Sequence, residues 1–171
     1  MEQIINKVAN SKLVTIDLED YYPEGKRVVF DIKDFLYESL ILREKEFREQ
    51  LKNHNWAQYQ GNYVALTCST DAIIPAWTYM LVTAHLIPFT KKVIVGSMDE
   101  LESIIYSEIL ENTDFSPLNN LPVIIKGCGN KPIPQNAYLL LIQKVQPFAK
   151  SIMYGEACST VPLIKKRELQ F

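Results

Sequence analysis

From Asn62 onward, short aliphatic and β-branched runs alternate with stretches of helical spacing, and few architectures accept that rhythm. The runs fall at 62–67, 91–95, 122–127 and 149–154, with helical patterns at about 72–87, 97–111 and 134–146 between them. A helix between two strands carries the chain back to the end it left, so successive strands run parallel. The spacing predicts an α/β fold with an open, mostly parallel sheet and helices on both faces. Ser97 and Glu100 have the spacing of a capping box at a helix start, and Pro147 closes the last helix.

The first 61 residues read differently. Residues 2–9 have the pattern of a short amphipathic helix, with Ile4, Ile5 and Val8 on one side. The runs 13–18 and 27–32 flank Pro23 and Gly25, which predicts a β-hairpin. A helix follows over about 34–53, where Phe35, Leu36, Leu40, Ile41, Phe47 and Leu51 recur at helical intervals, with room for a break near Leu40 to Arg43. No internal repeat is evident. The chain is read as a single domain, 1–171, with a helix, hairpin and helix over 1–61, an alternating core over 62–162, and a tail over 163–171.

The length of 171 residues accommodates one full hydrophobic core. With a net charge of −2, and Lys and Arg scattered apart from Lys165, Lys166 and Arg167, nothing suggests the basic face that nucleic-acid binding needs. No run reaches the eighteen or so apolar residues of a membrane span, and the first residues lack the apolar core of a signal peptide. Three cysteines, an odd number without close pairs, argue against a disulfide framework. The expected location is the cytoplasm.

The cysteines carry the first functional reading. Val123 to Pro134 reads as a short buried strand, a turn with Gly127, Cys128 and Gly129, and then a helix start. In open α/β sheets ligands bind at the carboxyl ends of strands. Cys68 ends its own run, and Cys158 lies four residues past another, so all three are expected on one rim. Thiolates from separate strands suit zinc, iron or an iron–sulfur cluster. Any single cysteine is more ordinarily buried filler, and only the joint placement favours a shared site. A cluster held by three cysteines leaves one position open, or a fourth ligand comes from Asp71, Glu156 or a solvent molecule, although Ser69, Thr70 and Asp71 also stand where a helix N-cap belongs. His85 lies roughly 20 Å along its helix from that rim and reads as a packing residue. His54 reads as exposed, and Trp77, Tyr79 and Met80 as core.

A second reading uses the loop chemistry. Lys126, Gly127, Asn130 and Lys131 precede a helix N-terminus, with Glu156 and Ser159 on the other loop, and such a set suits a small anionic ligand. Cys128 is then the nucleophile of a thiol-dependent enzyme, its thiolate favoured by Lys126. The loop is not a dinucleotide fingerprint, because Pro132 stands where a third glycine belongs. Nor is it the Cys-x5-Arg loop of a phosphatase, because Pro134 stands at the arginine position. A third reading is a protein that only binds partners, its cysteines inert.

The segments Asp31 to Asp34, Cys68 to Pro75, Lys126 to Cys128 and Lys150 to Pro162 resemble a bacterial family catalogued as domain of unknown function 2480, found mainly in the Bacteroidetes. The resemblance runs over nearly the whole chain. It departs at Ala157, where the family usually has proline. What it implies about partners is iron–sulfur assembly proteins, since such genes often lie beside those of the Suf assembly system. That is an association and carries no chemistry of its own.

Overall fold

A computed structural model describes residues 12–127, 129–156 and 159–165. The helix expected at 2–9 lies outside them. The elements are β1 (Val14–Ile16), β2 (Arg27–Asp31), α1 (Glu44–Asn53), β3 (Tyr63–Thr67), α2 (Ala76–Leu86), β4 (Lys92–Val95), α3 (Met98–Glu111), β5 (Pro122–Ile125), α4 (Gln135–Val145), β6 (Ser151–Glu156) and β7 (Ser159–Lys165). The α/β class with mostly parallel strands holds. Among the described residues no helix is long and apolar enough to cross a membrane.

The chain divides into two compact units, one continuous (Pro23–Glu102) and one split between Met1–Tyr22 and Ser103–Phe171. The stretch 62–162, grouped in sequence as one core, is shared between them. The continuous unit holds a three-stranded sheet of order β2-β3-β4. The split unit holds a four-stranded sheet of order β1-β5-β6-β7, parallel except for the antiparallel β7.

The two units repeat each other. A shift of 59 residues carries Pro75 onto Pro134, Tyr79 onto Tyr138, Pro88-Phe89 onto Pro147-Phe148, Lys91 onto Lys150 and Gly96 onto Gly155. The same shift carries the register Val64↔Val93 onto Val123↔Ile152, and the loop bond from Lys91 N–H to Asn62 O onto that from Lys150 N–H to Leu121 O, both 2.8 Å. Gly61 and Asn120, again 59 apart, both turn left-handed before the middle strand, at φ 72° and 58°. The first strands are offset differently: a shift of 14 carries Asp17 onto Asp31, and Val14↔Val123 corresponds to Val28↔Val64.

Burial follows the repeat. In the continuous unit Phe47, Leu51, Val64, Leu66, Val82 and Leu86 form the core, and Tyr106, Leu110, Val123, Ile125, Leu141 and Val145 do so in the split unit. These are aliphatic or aromatic residues on one helical stripe or one buried strand, where apolar area leaves water.

Several expectations are corrected. β1 and β2 form no hairpin, since each pairs in parallel with a different middle strand. Asp17 and Asp31 stop both strands in the same way, accepting the N–H of Glu19 at 2.9 Å and of Lys33 at 3.0 Å and opening a 3-10 turn. The helix expected over 34–53 is only α1, because Glu38 and Ser39 adopt φ of 48° and 59°, which a right-handed helix excludes. The capping box is present: Glu100 N–H donates to Ser97 Oγ at 3.2 Å, and Ser97 N–H to Glu100 Oε2 at 2.6 Å. Ser69, Thr70 and Asp71 cap nothing, for α2 starts at Ala76 with Pro75 at its N-cap. Part of the expected tail is β7, with Pro162 on an edge strand, where its missing N–H is tolerated. The repeat itself contradicts the reading that none exists.

His85 is a packing residue as expected, stacked on Trp56 with ring centroids 4.9 Å apart. His54 is half-buried rather than exposed, against Phe30, Phe35, Trp56 and Tyr59, and burial holds its pKa below the usual histidine value. Trp77 and Tyr79 are partly buried against the core, whereas Met80 is exposed.

Candidate functional site

Each unit gathers polar groups where its strands end, as parallel sheets do. In the split unit β1 ends at Asp17 and β5 leads into Lys126. Lys126 Nζ donates to Asp17 Oδ2 at 2.6 Å. Burial raises the Asp17 pKa, but the bonds from Lys126 and from Glu19 N–H, with the charges of Lys126 and Lys131, outweigh it and hold the carboxyl below its usual range. Lys126 is held above the usual lysine range by the same bond and charge, with lesser help from Glu156 and Glu19.

Glu19 closes the loop that follows. Its carboxylate accepts the N–H of Lys131 at 2.5 Å, and Lys131 Nζ donates to Glu19 O at 3.0 Å. A β-carbon at Gly129 would collide with that carboxylate, so only glycine lets Glu19 approach this closely. Gly127 has a similar reason: its carbonyl accepts the Tyr154 hydroxyl at 3.3 Å, and the tyrosine ring fills the space a side chain would take. Asn130 is exposed beside them, and Glu156 and Ser159 are exposed at the facing ends of β6 and β7.

In the continuous unit Asp31 takes the place of Asp17. It accepts the N–H of Lys33 and, at 3.1 Å, that of Ser69. Burial raises its pKa, and the bonds from the Ser69 hydroxyl and N–H and from Lys33 lower it further than burial lifts it. Cys68, one residue past β3, is half-buried with a free thiol, its Sγ 3.4 Å from Thr70 Oγ1. Asp71 is exposed in the same loop.

The site residues expected from sequence therefore divide. Lys126, Gly127, Asn130, Lys131, Glu156 and Ser159 belong to the split unit, and Cys68 and Asp71 to the continuous unit. Cys128 and Cys158 lie outside the described residues. Among the described residues no group of three or more His, Cys, Asp or Glu is placed to hold a metal ion. Sequence reasoning missed Asp17, Glu19 and Asp31 as rim groups. The signal was present in Asp17-Leu18-Glu19-Asp20 and Asp31-Ile32-Lys33-Asp34, two acidic turns each closing a β-branched run.

The loop's own groups are largely engaged. Lys126 is spent on Asp17, and both nitrogens of Lys131 on Glu19. Among the described residues the exposed groups beside them in the split unit are Asn130, Glu156 and Ser159, and the thiol at the strand ends of the continuous unit is that of Cys68. No curated protein and no solved structure matches the chain. A family model does, over residues 2–166, and the chain belongs to the family described as Protein of unknown function (DUF2480).

Proposed function

We propose that this protein binds a transition metal, as zinc, iron or an iron–sulfur cluster, through thiolates in the loops that follow its strands, and that it serves cluster assembly in the cytoplasm. The observation that carries the reading is the repeat. Both copies of the unit place a cysteine in the loop after the middle strand: Cys68 directly after β3, and Cys128 in the matching loop after β5. Cys158 adds a third in the connection between β6 and β7. Thiolate is the preferred ligand of zinc and of cluster iron, and metal supplied to such groups would act as a Lewis acid, an electron carrier or cargo. The half-buried free thiol of Cys68 is one such donor, with the exposed Asp71 as a carboxylate in the same loop, and the exposed Glu156 borders the connection that carries Cys158. The family resemblance supports iron–sulfur assembly proteins as partners.

The reading of a thiol enzyme or small-anion binder has less support, because the donors it needs are already bound to Asp17 and Glu19. Anaerobic purification followed by metal and acid-labile sulfide analysis separates the two. The wild type is expected to carry metal, with less in each of Cys68→Ser, Cys128→Ser and Cys158→Ser. A metal-free wild type after anaerobic reconstitution, matched by the triple variant, overturns the proposal. One fast-reacting thiol at neutral pH in that metal-free protein would instead favour the enzyme.

A further inference from the structure

We propose that the outward face of α2 is a self-association surface, on which a second copy of this chain docks its own α2 in antiparallel sense across a twofold axis. Ala76, Met80 and Ala84 recur at intervals of four along the helix, and Ile87 at its end keeps helical backbone angles, φ −48° and ψ −43°. On a 3.6-residue helix these four fall on one stripe, about 16 Å long. All four are exposed, Met80 at 71% and Ile87 at 65%, while Val82 and Leu86 are buried on the opposite side. A helix that is apolar all round belongs in an interior. The fold does not require this apolarity. The shift of 59 carries Ala76, Met80, Ala84 and Ile87 onto Gln135, Leu139, Gln143 and Gln146, so α4 meets water with three glutamines at the matching exposed positions.

The order of residues selects a second copy as the occupant. Counted from Met80 in either direction, alanine stands four residues away and isoleucine seven away. The outer pair is Ile87 and Ile73, the latter in the loop before the helix and 92% exposed. A twofold contact brings residue i of one chain onto residue j of the other, and j onto i, so a surface must be its own complement to use it. With the axis at Met80, each Ala76 meets the partner's Ala84, each Ile73 lies toward the partner's Ile87, and the two methionines meet each other. Alanines on either side of the axis let the helices approach to roughly 8 Å.

Charge agrees with that choice. Residues 72–90 contain no Asp, Glu, Lys or Arg, so two copies meet without like-charge repulsion and the stripe itself holds no charge to recruit an unlike partner. Arg48, over the Trp77 ring beside the stripe, is already paired with Glu44 at 2.9 Å. Asp71 stands exposed before the helix and Lys91 after it, where the lysine keeps its charge while donating to the Glu24 carbonyl. An antiparallel pair therefore sets unlike charges, and opposed helix dipoles, toward each other at both ends, whereas a parallel pair sets like against like. One helix face is a small interface, below the roughly 1,200 Å² of stable complexes, so the association is reversible.

The test follows the mass of the full-length protein by light scattering over a dilution series, with reductant and chelator present so that neither disulfides nor metal join the chains. The wild type is expected to approach twice the mass of one chain when concentrated and to fall toward one on dilution. Met80→Glu sets two carboxylates together on the axis and is expected to weaken association more than about tenfold. Ile87→Lys is expected to weaken it severalfold, and it decides the matter where Met80→Glu does not fold. Leu139→Glu, the matching change on α4, is expected to leave association as it was. With benzoylphenylalanine in place of Met80, illumination is expected to join position 80 of one chain to residues 76–84 of the other. A one-chain mass at every concentration up to about 1 mM overturns the proposal. So does undiminished association in folded Met80→Glu or in Ile87→Lys, loss of association in folded Leu139→Glu, or a cross-link that maps away from α2.

Discussion

The loop that follows the middle strand has opposite fates in the two units. In the split unit Glu19 holds residues 129–131 through the Lys131 N–H, and Gly129 makes room for it. In the continuous unit the matching loop leaves Ile73 and Asp71 in water, bonds its beginning, through Ser69, to Asp31, and packs Ala72 and Ile74 against the core. The strands beneath are the same in register, and most buried positions correspond, although Tyr59, Tyr63, Ile105, Ala149 and Ile152 are buried in one copy only. The difference shows that the repeated scaffold is set by its apolar interior, while the strand-end loops are free to acquire separate chemistry.

The sharpest way to break the equivalence is at the core. Phe47 and Tyr106 occupy matching positions and are both fully buried. Phe47→Ala and Tyr106→Ala should each cost about 3–5 kcal/mol, read from the midpoint shift in urea unfolding. Tyr106→Ala should stand at the upper end, because Leu18 O then loses the tyrosine hydroxyl donated to it at 2.8 Å. If one substitution were nearly neutral, the two interiors would not be energetic counterparts.

That correspondence was hard to see in the sequence, and the reason is physical. Core positions accept any apolar side chain of fitting volume, so Val82 and Leu86 are matched by Leu141 and Val145 and few identities survive. The insertion of one unit within the other also separates β1 from β5, so the first strands obey a shift of 14 and the rest a shift of 59. Periodicity did reveal the parallel β/α alternation, and the Ser97–Glu100 box was legible because its partners lie three residues apart. The false hairpin arose because local pattern cannot say which strand a strand will pair with. Glu19 and Lys131 were invisible as partners for the same reason, since 112 residues separate them.

Acid separates the strand-end carboxylates from the rest. Asp17 and Asp31 both have folded-state pKa values below their ordinary range, so each contributes stability that is present above an ordinary carboxylate pKa near 4 and lost as pH falls through the folded value. Asp17→Asn and Asp31→Asn should each lower stability at neutral pH and flatten the loss below about pH 4, as followed by denaturation midpoints. A variant that leaves the acid limb unchanged would show that its carboxylate is not held as the structure places it.

A second pH effect should belong to one unit only. Burial lowers the His54 pKa, so the folded state disfavours the charged ring. Its contribution is fully present above the ordinary histidine pKa near 6.5 and diminishes as pH falls toward the folded value. The matching residue of the split unit is Thr113, which does not titrate there. His54→Thr should therefore remove a stability loss that sets in as pH falls below the ordinary histidine value, without touching the acid limb of Asp17. Persistence of the loss in the variant would place its origin elsewhere.

The smallest effect is the most discriminating, because it exchanges one copy's residue for the other's. Thr78 is fully buried at the start of α2, and its hydroxyl has no hydrogen-bond partner among the described residues; the split unit has the buried Ala137 at that position. A buried hydroxyl without a partner forfeits its bonds to water, while the remaining methyl adds some apolar burial. These terms oppose each other, so Thr78→Ala should lie within about 1 kcal/mol of the wild type and on the stabilising side. The reverse exchange, Ala137→Thr, adds a hydroxyl and a methyl to a filled interior and should cost about 1–3 kcal/mol. Opposite signs for the pair, measured in the same urea titration, would show that the two interiors apply one packing rule; a clear loss for Thr78→Ala would mean that its hydroxyl is satisfied in solution.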